Sequence, residues 1–287
     1  MQSPSNDSKE TGRENVAAGI VLFSPNVAFL KENIECLLKQ VDHVFLVDNT
    51  EEKDGLKSVF LDDPNVTYVS DGVNKGIAKA LNLLMELAEE KEYKWLLTLD
   101  QDSVVPEDFI SDLMAFAVID KIAIIAPCYI DRNSGRQFGY DGLVETCITS
   151  GSLCLVEAWR SVGGFDEYMF IDMVDHEYCF RLRNADWKIY QTKSIVLNHA
   201  VGDSEYKTIF GYECCVMNHS AFRKYYQMRN SIYFDKKRGK FSPRASLICC
   251  VAWSVKVLLW EDDKINKIKA MIKGAKDGFL SHPEQCK

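Results

Sequence analysis

The first half of the chain alternates short apolar runs with amphipathic helical patterns, and this alternation constrains the fold more than any other feature. Short strands separated by helices favour a parallel sheet with helices on its faces. The predicted strands are Val16–Phe23, His43–Val47, Val66–Val69, Trp95–Leu99 and Ile122–Ala126. The predicted helices between them are Val27–Lys39, Lys75–Lys91 and Glu107–Ala117. The sequence therefore predicts an α/β fold.

The second half of the chain is less regular. We expect a strand over Ser150–Val156, a helix over Asp175–Ala185 and a short strand over Ile195–Asn198. After about Lys240 the pattern becomes helical and different in character. The expected organisation is a disordered leader over residues 1–15, one α/β domain over residues 16–240 and a C-terminal helical extension over residues 241–287.

Charge and cysteine usage narrow the class of protein. A net charge of −8 and a pI near 5.3 argue against a nucleic-acid partner, because such a protein needs basic surface to displace counterions from phosphates. The ten cysteines are scattered without zinc spacing, and the polar N-terminus lacks the apolar run of a signal peptide. We therefore expect a protein of the reducing cytoplasm. Polar residues interrupt the stretch Ala245–Trp260, which we expect to fall short of a membrane span.

Polar side chains follow the predicted strands at their carboxyl ends. Asp48 and Asn49 follow the second strand, Asn74 follows the third, and Asp100 and Asp102 follow the fourth. In open α/β sheets the ligand crevice lies along this edge. Asp and Asn also favour ordinary turns, which is the simpler explanation for any one position. Their succession along the chain favours a shared cleft.

The paired carboxylates after the fourth strand are the first candidate metal site. In extended backbone, side chains one residue apart point to the same side, which brings Asp100 and Asp102 together. Two hard oxygen ligands suit Mg²⁺ or Mn²⁺. A surface turn explains an isolated pair of this kind equally well.

A second acidic cluster lies between Asp172 and Arg183. Asp172 and Asp175 precede or open the predicted helix, where free backbone N–H groups hold a carboxylate in place. Such a carboxylate can act as a general base, although Asp172 also suits a simple helix cap. Glu177 and Arg181 have the spacing of an ordinary surface ion pair.

Several segments together form an ordered set of motifs. They are Ile20–Pro25, Val47–Thr50, Asn74–Asn82, Leu97–Ser103, Thr149–Leu153, Gly163–Asp166, Phe170–Arg181 and Arg223–Asn230. In this order they resemble the family 2 glycosyltransferases of the GT-A fold, and within that family the bacterial rhamnosyltransferases. The resemblance runs from about Val16 to about Lys240.

The resemblance implies a GT-A fold, a mixed Rossmann-like sheet flanked by helices, with the helical tail at its C-terminus. It implies transfer of rhamnose, with inversion, from dTDP-rhamnose to a saccharide or lipid-linked glycan acceptor in surface polysaccharide synthesis. By position in the motifs, Asp175 would be the catalytic base, and Asp100 and Asp102 would hold Mg²⁺ or Mn²⁺. The implied donor contacts are the backbone of Phe23, Asp48 at the pyrimidine base, Asn74 and Lys79 at the nucleotide, Asp100 through the metal, and Gly151 at the sugar.

Three further basic or imidazole side chains are candidates. His199 follows a predicted strand and is either a third metal or phosphate ligand or a structural hydrogen-bonding residue. Arg223 and Arg229 meet either a phosphate group, which suits the guanidinium fork, or solvent on a basic helix face.

The tail from Ser246 to Lys276 combines an apolar stretch with a lysine-rich segment. It could lie on a membrane surface, at the inner face of the plasma membrane, where a lipid-linked acceptor is presented. A packed helical hairpin or the contact of a homodimer explains the same pattern.

Three other functions remain open on the sequence. One is a family 2 enzyme with another donor, such as a UDP-hexose or UDP-galactofuranose. A nucleotidyltransferase needs a basic, glycine-rich turn after the first strand, and the turn that begins at Phe23 has no lysine or arginine. A sugar-nucleotide-binding protein without turnover is disfavoured by the joint presence of Asp100, Asp102 and Asp175.

Overall fold

The computed structural model describes residues 15–51, 56–60, 63–131, 135–199, 205–209 and 212–284. The first strands are β1 Val16–Leu22, β2 Val44–Asp48, β3 Val66–Ser70, β4 Trp95–Asp100, β5 Ile122–Asp131 and β6 Gln137–Phe138. The later strands are β7 Gly142–Leu143, β8 Ser152–Leu155, β9 Lys188–His199, β10 Glu205–Ile209 and β11 Tyr212–Val216.

The helices fall into two groups along the chain. Those that alternate with the sheet strands are α1 Val27–Leu38, α2 Lys57–Phe60, α3 Gly76–Glu90, α4 Phe109–Met114, α5 Val156–Ser161 and α6 Val174–Asn184. A 3₁₀ turn, Glu167–Met169, lies between α5 and α6. Three long helices follow the last strand: α7 Ala221–Lys237, α8 Pro243–Trp260 and α9 Lys264–Leu280.

Within the described residues, nine strands form one mixed sheet, and β10 and β11 form a separate antiparallel pair. The main path runs β3-β2-β1-β4-β8-β5-β9-β7, with β6 paired to β5. The four strands β3, β2, β1 and β4 are parallel, and β8 is antiparallel to both of its neighbours. The carboxyl ends of the four parallel strands therefore meet at one edge of the sheet, as predicted.

Strand β1 lies at the centre of the core. Its residues from Val16 to Ile20 are fully buried because helices cover both faces of the sheet. Helix α3 packs Leu81, Leu84 and Met85 onto this layer. This explains why β1 reads in the sequence as a continuous apolar run instead of an alternating one.

Two predicted strands are longer in the structure. Strand β5 continues past Ala126 to Asp131, because a register irregularity between Pro127 and Cys128 accommodates a proline that cannot donate to the ladder. Strand β9 begins at Lys188, well before Ile195. The sequence did not indicate the first part of this strand because it contains polar residues. One of them, Gln191, is buried, and its side-chain amide donates to the carbonyl oxygen of Pro127 at 2.9 Å.

The C-terminal helices pack against each other and against one side of the sheet domain. Helix α9 lies along α7, where a methyl group at Gly278 would come within 2.9 Å of the carbonyl oxygen of Arg229. Met228, Val257 and Met271 form a small second core between the three helices. Helix α8, despite its interrupting polar residues, is long and apolar enough to cross a membrane by length and composition.

Candidate active site

Strand β4 carries the first carboxylate pair to the edge of the sheet. Asp100 is its last residue and lies opposite Val21 of β1 in the parallel ladder. The backbone N–H of Asp100 donates to Ser150 Oγ at 3.1 Å. Asp100 and Asp102 are both half-buried, in the turn that closes with Ser103.

Gln101, between the two acids, was not predicted to have a role. Its side-chain oxygen accepts from the backbone N–H of Phe23 at 2.8 Å, and its Nε2 donates to the carbonyl oxygen of Phe23 at 3.1 Å. The acidic turn is thereby joined to the turn after β1. The position of Gln101 within the acidic motif was the only signal that could have found it.

Asp100 and Asp102 are the candidate ligands of a divalent cation. Over the ranges that the structure describes, no three His, Cys, Asp or Glu side chains lie close enough together to hold a metal ion. Two carboxylates suit a hard cation such as Mg²⁺ that takes its remaining ligands from water and diphosphate. His199 ends β9 beside Asp131, but its side chain lies outside the described part of the structure, and its role as a third ligand stays a prediction.

Asp48, the predicted base contact, is buried at the end of β2. Its Oδ1 accepts from the backbone N–H of Thr50 at 2.8 Å, and its Oδ2 accepts from the hydroxyl of Tyr68 at 2.7 Å. An ionised carboxylate has about four lone-pair positions, so both oxygens can each accept one more bond. Asp48 is held rigidly and can still accept from a ligand.

The start of α3 contacts the second acidic segment. Asn74 Oδ1 accepts from the backbone N–H of Gly76 at 3.0 Å, and the carbonyl oxygen of Phe170 accepts from Ile77 N–H at 2.7 Å. Gly76 has a φ of +83°, and a Cβ there would lie 2.6 Å from Phe170. Only glycine permits this approach. Asn74 therefore shapes a turn that touches the second acidic segment.

Two other predicted donor contacts are engaged within the protein. The ammonium of Lys79 bonds Glu167 at 2.9 Å, and this hydrogen bond raises the pKa of Lys79. Gly151 has a φ of +77°, and a Cβ there would lie 2.6 Å from Leu197. Gly151 is thus required by its backbone and by core packing, whatever its contact with a sugar.

Asp175 lies in the first turn of α6 and is half-buried. Burial raises the pKa of this carboxyl above its usual value, while the nearby His176 opposes the shift. Its Oδ1 accepts from the backbone N–H of His176 at 2.9 Å. A carboxylate with a raised pKa is a better proton acceptor at neutral pH.

The backbone before Asp175 is strained. Phe170, Asp172 and Met173 have φ values of 61°, 65° and 66°, a region that residues other than glycine rarely adopt. From α7, the Asn230 amide donates to the carbonyl oxygens of Met169, Ile171 and Asp172 at 2.7 to 2.9 Å. Such strain persists only where the surroundings over-determine it, and it is found mostly at functional sites.

Arg223 and Arg229 support the same segment. The Arg223 guanidinium binds the Asp172 carboxylate at 3.0 to 3.1 Å. Arg229 is 7% exposed, donates to the carbonyl oxygens of Tyr168 and Met169, and lies 4.3 Å from the ring centroid of Tyr168. The alternative of a solvated basic face is wrong for Arg229. Its contact with the donor stays a prediction, and in the structure its guanidinium is used internally.

The interpretation of Glu177 and Arg181 as a surface pair is wrong. Glu177 is fully buried and accepts from Arg181 at 2.5 and 2.7 Å and from Lys237 at 2.7 Å. Lys237 also binds Asp166 at 2.6 Å. Burial alone would raise the pKa of Asp166, but the Lys237 ammonium together with hydrogen bonds from Tyr233 and the backbone of Tyr168 holds that pKa below the usual value. The spacing of Glu177 and Arg181 correctly predicts an ion pair, but it does not show that α7 covers this pair.

Comparison with known proteins decides the family. The family described as Glycosyl transferase family 2 matches residues 21–172, which include Asp48, Asn74, Asp100 and Asp102. The chain belongs to glycosyltransferase family 2. The prediction of the family is confirmed.

This glycosyltransferase is 31% identical over 242 residues to the dTDP-rhamnosyl transferase RfbF of Shigella flexneri, across 78% of this chain and 80% of that protein. The crystal structure of GalNAc-T7 with UDP, GalNAc and Mn²⁺ is similar with a TM-score of 0.61 and 13% identity. That likeness covers 93% of this chain, which spans 56% of the other. Staphylococcus aureus TarS, residues 1–349, is similar with a TM-score of 0.52 and 13% identity, over 93% of this chain and 72% of that one. The predicted GT-A fold is confirmed.

The glycosyltransferase also has an aromatic cleft of about 430 Å³ between α7 and α9. Its lining is Ala221, Phe222, Tyr225, Tyr226, Ala270 and Lys273. The ring of Tyr226 stacks on Phe170 with centroids 4.9 Å apart. The cleft therefore adjoins the strained segment before Asp175. The sequence showed the aromatic residues of α7 but not their partners on α9.

Proposed function

We propose that this glycosyltransferase moves a rhamnosyl group from dTDP-rhamnose to a hydroxyl of a saccharide or lipid-linked glycan. The observation that supports dTDP-rhamnose as the donor is the 31% identity, over most of both chains, to a dTDP-rhamnosyl transferase. Asp100 and Asp102 would hold a divalent cation, which stabilises the charge on the leaving diphosphate.

Asp175 is the general base of this proposal. It takes the proton of the acceptor hydroxyl while the hydroxyl oxygen forms a bond to the anomeric carbon. The bond from that carbon to the diphosphate oxygen breaks on the opposite side, so the configuration inverts. The raised pKa of Asp175 and its fixed position at the start of α6 support this role.

Donor recognition would begin at the turns after β1 and β2. Asp48 is oriented by Thr50 and Tyr68 and would accept from the imide N–H of a pyrimidine base. Phe23 presents its backbone beside the acidic turn because Gln101 holds it there. Gln101 is a positioning residue in this scheme.

The aromatic cleft would bind the acceptor saccharide. Aromatic rings offer flat apolar faces, and Phe222 is 54% exposed at the cleft. The contact of Phe170 with Tyr226 links the cleft to the segment that carries Asp175.

The cellular location proposed is the cytoplasm. Within the described residues, eight cysteines are free, among them the exposed Cys249. A compartment that keeps thiols reduced suits such a protein.

The decisive measurement is the release of nucleoside diphosphate from the sugar-nucleotide donor, here called donor release. The purified chain is incubated with dTDP-rhamnose, UDP-glucose, UDP-galactose or UDP-galactofuranose, in Mg²⁺, Mn²⁺ or EDTA, and nucleoside diphosphate is measured. We expect release from dTDP-rhamnose that EDTA abolishes. Release from a UDP-sugar alone would refute dTDP-rhamnose as the donor and would leave the fold and the proposed base unaffected. Release that EDTA does not affect would refute the need for a divalent cation.

A further inference from the structure

Helix α8 exposes an unusually large apolar surface. Over the whole helix only Ser246 and Val257 are buried. Residues on the opposite face are between 48% and 61% exposed: Leu247, Ile248, Val251, Val255, Leu258 and Leu259. A contiguous apolar face of this kind marks an interaction surface, because leaving it in water is unfavourable.

The neighbouring helix α9 carries the complementary charge. It has five lysines and one aspartate, a net charge of +4 (5 − 1), whereas the whole chain carries −8. Lys267 is buried against Glu261, but Lys264, Lys269, Lys273 and Lys276 are exposed. The same outer face exposes Ile265 at 70% and Ile272 at 64%. Lysines next to aliphatic side chains are typical of helices that lie in a membrane interface.

The attachment of α8 to the folded chain decides its orientation. Ser246 and Val257 pack inward, and Lys256 donates to the carbonyl oxygen of Cys215. Glu261, just after the helix, is buried between Lys224 and Lys267 at 2.6 and 3.1 Å. A helix held along its length in this way cannot be surrounded by lipid on all sides. It can lie on a bilayer and insert only its outer face.

We propose that the outer faces of α8 and α9 together form a membrane-facing surface that binds a bilayer rich in anionic lipid. The apolar residues of α8 enter the boundary of the hydrocarbon, and Lys264, Lys269 and Lys276 of α9 meet the headgroups. The charge favours lipid over a second copy, since a two-fold dimer through α8 brings two basic α9 helices towards each other. The proposal does not depend on the donor sugar.

Co-sedimentation of the full chain with vesicles tests this proposal. The vesicles are pure phosphatidylcholine in one arm and equal parts phosphatidylglycerol and phosphatidylethanolamine in the other. We expect sedimentation with the anionic vesicles and at least about tenfold weaker binding to phosphatidylcholine.

Two variants separate the apolar and the charged contributions. Leu247→Gln combined with Val251→Gln and Leu258→Gln removes one line of apolar contacts, and binding to both vesicles should fall at least about tenfold. Lys269→Gln combined with Lys276→Gln should weaken binding to anionic vesicles alone by about 25-fold, at about fivefold for each lysine.

The control variants are Val118→Gln, at a position 88% exposed and remote from α8, and Lys31→Gln combined with Lys91→Gln. Neither should change vesicle binding. Circular dichroism and donor release, both unchanged, show that every variant is folded.

Three results would overturn the proposal. The first is a wild-type chain that stays in the supernatant with both vesicles. The second is a dimer by light scattering that the triple glutamine variant breaks without any loss of vesicle binding. The third is equal loss of binding in the control variants.

Discussion

The two acidic regions of this glycosyltransferase are held in place by opposite means. Asp100 and Asp102 follow a central strand, so the hydrogen bonds of the sheet and one glutamine fix them. Asp172 and Asp175 follow a strained turn that side chains of α7 hold from outside the sheet. The proposed donor side therefore depends on the central sheet. The proposed base, Asp175, depends on packing against a helix about 50 residues further along the chain.

The largest expected effect is on the proposed base, Asp175. Asp175→Asn keeps the shape of the side chain and removes its ability to take a proton. We expect turnover to fall about 10²- to 10⁴-fold with donor binding unchanged. Steady-state kinetics and donor calorimetry measure the two quantities. Near-normal turnover with an acceptor would show that another group is the base.

The buried ion cluster behind α6 should carry the next largest effect. Lys237→Met leaves Glu177 and Asp166 without their shared cation, and the free energy of unfolding should fall by about 3 kcal/mol. Lys31→Met, at an exposed position of α1, should change it by less than about 0.5 kcal/mol. Urea unfolding checks both. An equal, small change in the two variants would mean that the ion pairs of Lys237 do not stabilise the fold.

A pair of milder variants should separate the two sides kinetically. Gln101→Ala removes both hydrogen bonds to Phe23, and we expect the donor KM to rise about tenfold, about 1.4 kcal/mol, with little change in the acceptor KM. Gln137→Ala, exposed on β6, is the control. A rise in the acceptor KM alone would refute the assignment of Gln101 to the donor side.

Phe222→Ala is the counterpart on the proposed acceptor side. Loss of the exposed ring should raise the acceptor KM about fivefold and leave acceptor-independent donor release unchanged. The acceptor used is the aryl glycoside that most accelerates donor consumption in a panel of p-nitrophenyl glycosides. Val118→Ala provides the control. If donor release also fell, the cleft would not be specific to the acceptor.

The smallest effects are on stability, and they should have opposite signs. The pKa of Asp166 is lowered from 3.8, so its ionised form stabilises the fold at neutral pH and this contribution is lost as the pH falls through the lowered pKa. The pKa of Asp175 is raised from 3.8, so its ionisation costs stability as the pH rises through the raised pKa. At pH 7, Asp166→Asn should therefore destabilise the protein, and Asp175→Asn should stabilise it.

Urea unfolding between pH 7 and pH 3 checks this pair, and both differences from wild type should shrink towards the acidic end. Two differences of the same sign at pH 7 would contradict the comparison.

The same contrast explains what the sequence could predict. Strands β1 to β5 and the place of Asp100 and Asp102 at the end of β4 follow from patterns within a few residues, and they were predicted. The bonds of Gln101 to Phe23 join residues 78 positions apart, and no local pattern indicates them. Arginine suits phosphate and carbonyl partners alike, so the sequence could not show that Arg229 is buried under Tyr168. Likewise, the spacing of Glu177 and Arg181 predicts a pair but not its burial.

The close contact of α9 with α7 has a consequence for truncated versions of the protein. A chain that ends at Lys240, the boundary proposed for the catalytic domain, retains every residue assigned to the chemistry. It loses Gly274 and Gly278, against which the backbone of α7 packs. It also uncovers Met228 of the small second core. It further loses Ala270 and Lys273, which form one wall of the aromatic cleft. An inactive fragment of this kind would therefore show that the catalytic domain needs the tail, both to hold α7 and its turn in place and to complete the cleft.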